Sequence, residues 1–256
     1  MKRFYKTTGV DAADGGFRVL LDGRPMKTPA KRALLLPVED LAQAVAEEWE
    51  AQSEEIQPDL MPITRLATTA NDRMPGLRDA AIDDVANYAA TDLVCYRAPG
   101  PDLLVRRQHD AWQPALDWMA RRFDIAFEVT TALVPMSQPE ATLERVRSVI
   151  EAIDDWPLVG IHGATTSLGS VVLALALWHG QLGQGGSGDD GSETDDLGAD
   201  AAAESSLVDA LFEIEQWGEE RDAAKRHETV RRDVRGAARY LSHFPPKDLM
   251  TADGGG

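Results

Sequence analysis

Hydrophobic positions in the first 36 residues come in short runs broken by turn formers. Phe4 to Thr8, Phe17 to Leu21 and Ala33 to Leu36 read as strands, separated by Gly15–Gly16, Asp22–Gly23, Pro25 and Pro29. From Val38 the period lengthens. Leu41, Val45 and Trp49 recur every fourth residue, which gathers them on one helical face and sets Trp49 to anchor that helix against the sheet. After Pro58 and Pro62, helical patterning runs from Ile63 to Arg73 and again from Leu77 to Leu93. Trp112, Leu116, Met119 and Phe123 form a further stripe, with Pro114 either near its start or kinking it. Ile125 to Val134 mixes β-branched residues and fits a strand or an extended crossing equally.

Ser137 with Glu140 three residues on matches a capping box, and Leu143, Val146, Ile150 and Ile153 supply the helical face behind it. The most apolar run, Leu168 to Leu182, is shorter than the roughly 20 residues that cross a bilayer and contains His179 and Gln181, so a buried helix is expected. Two more helices, from Ser206 to Trp217 and from Glu219 to His243, close the pattern. The expected fold is α+β: a small N-terminal β-rich domain with a helix over 1–85, then a larger, mainly helical domain over 86–250. Gly183 to Glu204 holds six glycines, seven acids and no base, and is expected to loop out as a flexible acidic insertion.

Charge narrows the function. Residues 1–36 hold eight Lys and Arg against three Asp, a local +5 within a total of −17, so the remainder carries −22. Such an acidic chain is a poor nucleic-acid binder, and no membrane insertion is expected. MKRFYKTTG is followed by no apolar export segment, and one cysteine, Cys95, excludes an intramolecular disulfide framework and fits a buried structural thiol.

Candidate chemistry is sparse. The five histidines are scattered without an HExxH pair, so no metal is expected; no GxSxG elbow, Walker A or GxGxxG run occurs, so no catalytic residue and no cofactor is assigned. GIHGATTSLGS (160–170) resembles an anion cradle at a helix start, and with His162 it supports an alternative reading as a small-molecule or nucleotide-binding enzyme. The preferred reading of those small residues is close helix approach, with Thr165, Thr166 or Ser167 capping. In the helix around FEIEQWGEE, the residues Leu207, Ala210, Leu211, Ile214 and Trp217 share a core face. Phe212 is left over beside Val208, Glu215 and Glu219. It either faces outward as an interaction site or packs under a neighbouring helix.

Six segments, FRVLLDGRPMKTP (17–29), AEEWEAQ (46–52), MPITRLATTANDR (61–73), TDLVCYR (91–97), HGATTSLGS (162–170) and EQWG (215–218), stand in the order of the ATP synthase F1 assembly chaperone family that acts on the alpha subunit. The chain resembles that family over most of its length. The resemblance implies a β-containing N-terminal domain and a helical C-terminal one. It also implies a non-enzymatic factor of the bacterial cytoplasm or mitochondrial matrix that holds the unassembled F1 alpha subunit until the beta subunit replaces it. The family's acidic position near its WG pair maps to Glu215, with Glu219 the alternative. The candidate partner-binding set is therefore Glu215, Glu219, Phe212 and Trp217.

Overall fold

The N-terminal sheet begins later than the hydrophobic pattern suggests. In the computed structural model, which describes residues 1–132, 134, 136–183, 194–218 and 220–247 (backbone alone at 194–197), β1 spans Thr8–Ala13 and β2 Gly16–Leu21. They pair antiparallel from Thr8↔Leu21 to Ala13↔Gly16, and a short β3, Arg24–Pro25, completes the order β1-β2-β3. The expected first strand, Phe4 to Thr8, does not form, because the Asp22 carboxylate takes the backbone N–H groups of Lys6 and Thr7 at 2.9 and 3.0 Å. These same bonds hold the Asp22 carboxyl below its ordinary range. Ala33 to Leu36 makes only isolated bridges, Lys27↔Ala33 and Phe17↔Leu36, while burying Leu34 and Leu36.

Helix α1, Glu39–Glu50, buries Leu41, Ala42, Val45 and Ala46 against the hairpin. Trp49 is half-buried against Tyr5, their rings 5.5 Å apart, as its place in the stripe predicts. The two helical patterns that follow are one 27-residue helix, α2 (Pro62–Tyr88). Pro75 lies inside it on the exposed side, where a lost backbone bond is least costly. Pro114 is likewise interior to α3 (Asp102–Phe123).

Residues 125–132 form no strand and touch Tyr96 through one bridge at Thr130. The capping box expected before α4 (Glu140–Glu151) does not form. The N-cap is Pro139, with no side-chain cap, and Gln138 instead exchanges two hydrogen bonds of 2.9 Å with the backbone of Glu128.

The core of the helical region is built by α2, α5 (Asp155–Leu168), α6 (Val171–Trp178) and α9 (Arg221–Leu241). Close approach of helices decides two glycines. A Cβ on Gly160 would sit 2.7 Å from the Leu241 side chain, and one on Gly236 only 2.4 Å from the Pro62 ring. The small residues of 160–170 thus serve helix packing, but capping falls to Ser170, whose hydroxyl accepts the Leu173 N–H at 3.0 Å.

The end of the expected acidic insertion is helical. Residues 184–193 lie outside the described ones, whereas α7 covers Thr194–Ser206 and buries Ala199, Ala202 and Ala203 completely. Three alanines at helical spacing carry little hydrophobic signal, yet they let α7 lie close on α9, where Arg235 grips Asp200 with bonds of 2.7 and 3.0 Å. Among the described residues no helix is long and apolar enough to cross a membrane.

Candidate partner-binding surface

Helix α8, Val208–Trp217, follows α7 after the single residue Leu207 and lies mainly on α3. It is fastened at its start. Gln108 of α3, itself 1% exposed, donates to Asp209 at 2.6 Å while accepting from the Ala98 N–H at 2.8 Å. None of the residues of α8 is fully buried.

The far end carries the candidate residues. Arg107 of α3 meets the Glu215 carboxylate at 2.8 Å, and its guanidinium stands 5.6 Å from the centre of the Phe212 ring. The hydrogen bond lowers the Glu215 carboxyl below its usual range and raises Arg107. Both groups remain in contact with water, so the pair orders the surface more than it stabilises the fold. Phe212 is half-buried under this cation, between the two placements the pattern allowed.

Trp217 contradicts its expected place on the core face, being 87% exposed. Periodicity puts it in line with Ile214, but among the described residues no neighbouring element extends over the last turn of α8 to cover that line. Gly218, at φ +85, ends the helix immediately after it. Glu219 lies outside the described residues. Leu103, which sequence reasoning missed, sits one turn before Arg107 on the same side of α3 and is 43% exposed. Its signal was available: Leu103, Leu104 and Val105 are consecutive, and one helix cannot turn three successive side chains toward one core.

The anion-cradle alternative is not built. Gly160 to Leu168 lies inside α5, where backbone N–H groups are spent on the helix itself. The free N–H groups at the start of α6 are already occupied. Asp92 accepts from Val171 and Val172 at 2.8 and 3.2 Å, and also from Val94 at 3.2 Å. Burial raises the Asp92 carboxyl to about 6 against the pull of these bonds. Cys95 is fully buried, and burial pushes its thiol up to about 12, which leaves no thiolate for nucleophilic chemistry. Among the described residues no group of three or more His, Cys, Asp or Glu is set to hold a metal.

The helical scaffold fastens one end of an outer helix and presents an aromatic, an ion pair and an aliphatic side chain to water, side-chain types that are common where proteins dock. Comparison with known proteins gives the family. The sequence profile of the ATP12 chaperone protein family matches residues 2–120. Atp12 of Paracoccus denitrificans superposes with a TM-score of 0.83 at 34% identity, over 94% of this chain and 97% of that one. A protein of Agrobacterium tumefaciens described as a chaperone gives 0.83 and 34%, over 94% and 85%. The mitochondrial protein atp12 of Schizosaccharomyces pombe is 21% identical over 246 residues, 91% of this chain and 78% of that protein. The chain belongs to the ATP12 chaperone family, whose members serve ATP synthase assembly.

Proposed function

We propose that the protein binds the unassembled alpha subunit of the F1 ATP synthase, in the bacterial cytoplasm or mitochondrial matrix, and releases it when the beta subunit takes its place. Trp217 carries this reading: an indole left 87% in water, at the end of the short helix that also carries Phe212 and Glu215 under Arg107, is a surface waiting for a partner. Glu215, Phe212 and Trp217 are its contact residues, and Glu219 joins them as the next acid along the chain. A lone subunit exposes the apolar interface meant for its neighbour, and a chaperone that covers this interface lowers the concentration of the aggregating form by mass action. No bond is made or broken, and exchange for the true neighbour completes the cycle. In a test, purified alpha subunit is diluted from denaturant with and without the protein, and light scattering is followed. Suppression by wild type and its loss in Glu215→Lys support the reading; equal scattering with and without wild type ends it.

A further inference from the structure

Away from α8, a groove runs along the α2–α5 face that the proposed contact residues do not use. Three depressions of about 200, 460 and 510 Å³ adjoin: Asp84 and His162 line the first two, and Thr91 and Thr166 line the last two. The third ends at Leu207, the residue before α8, so the groove reaches the fastened start of the helix whose far end carries the proposed contact residues. Segments 61–73, 91–97 and 162–170, three of those on which the family resemblance rests, all contribute to its walls.

Its chemistry specifies an occupant. At one end the buried Met74 forms the floor and Leu77, 51% exposed, forms the lip. Among the described lining residues Asp84 is the single carboxylate; Arg73 lines the Met74 end, and from Asp84 to Leu207 there is no Lys or Arg. His162 lies 3.6 Å from Asp84 and neutralises it only when protonated, whereas the neighbouring Asp83 is already paired with Arg147 at 2.7 Å. A carboxylate whose nearest partner, His162, neutralises it only when protonated favours a cation.

We propose that the groove holds a segment of the same partner, with an aliphatic side chain against Met74 and Leu77 and a Lys or Arg on Asp84. The two anchors lie about 10 Å apart, seven residues along α2 at 1.5 Å each. The inference rests on the reading of the protein as a carrier of the F1 alpha subunit, and extends the contact surface from one helix to a track across the molecule.

The test uses the whole protein and records the concentration that half-protects purified alpha subunit from aggregation. If wild type gives no protection, the partner reading falls and this inference with it. Given protection, Asp84→Lys and Thr166→Trp, both at exposed positions, are expected to raise that concentration about tenfold or more with unchanged unfolding midpoints. Hydrogen exchange should slow in α2 and α5 as well as α8 when alpha subunit is added. Should Thr166→Trp fold poorly, Asp84→Lys decides alone. Wild-type protection by Asp84→Lys, with exchange slowed only at α8, overturns the groove and leaves the partner reading standing.

Discussion

The Glu48 carboxylate accepts the backbone N–H of Thr64 at 2.7 Å and that of Ile63 at 2.8 Å, so a side chain near the end of α1 caps the start of α2. This joins the N-terminal hairpin and its helix to the longest helix of the chain. Burial raises the Glu48 carboxyl, and the two N–H groups offset part of that cost. Glu48→Ala leaves both donors without a partner in a largely buried place. It is expected to lower stability by about 1–3 kcal/mol in urea unfolding, well above the effect of changing the exposed Glu47 to Ala.

Asp92 makes stability depend on pH in the less usual direction. Its carboxyl is raised from 3.8 to about 6, so the folded state holds a proton that the unfolded state releases first. The contribution is complete below about pH 4 and is lost as pH rises toward 6. The difference in unfolding free energy between wild type and Asp92→Asn should therefore shrink across that window, measured by urea unfolding at fixed pH steps. A difference that grows with pH would contradict the assignment.

Gly236→Ala tests helix contact against helix propensity. Alanine at an exposed helical site stabilises by about 1 kcal/mol relative to glycine. Here its Cβ would stand 2.4 Å from a ring carbon of Pro62, which has no rotamer to yield. A net loss of about 1–3 kcal/mol is expected in denaturant unfolding, and Gly160→Ala should also lose stability, its Cβ crowding the buried Leu241 and Tyr240 side chains at 2.7 and 2.9 Å.

Trp217→Ala should separate binding from folding. With so little of the ring covered, its removal is expected to change stability by no more than about 0.5 kcal/mol. Protection of the alpha subunit should fall about tenfold or more, as for a central interface aromatic. Reversing the ion pair as Arg107→Glu with Glu215→Arg keeps the pair and inverts its polarity; thermal midpoint should hold while protection drops.

Much of the architecture could be read from hydrophobic spacing: the strand at Phe17 to Leu21, the Trp49 helix, the α3 stripe and the buried apolar helix all lie where the periods place them. The pattern failed where structure depends on a distant polar group. Nothing near Lys6 announces that Asp22 will claim its N–H, and nothing near Val171 announces Asp92, 79 residues earlier in the chain. It failed again at α7, where alanines do the packing, and at Trp217. Periodicity reports which side chains share a face, but not whether another element arrives to cover it. The α8 residues were visible as candidates, and Leu103 could have been read from its apolar run; Arg107 and the groove were not, because each arises from helices brought together by the fold.

An indole on open display is adhesive toward copies of its own molecule as much as toward anything else. The net charge of −17 supplies the counterweight: two like molecules repel long before their tryptophans can meet, whereas a body of opposite local sign is drawn in. Stickiness at one spot is tolerable here because the molecule's net charge discourages self-encounter.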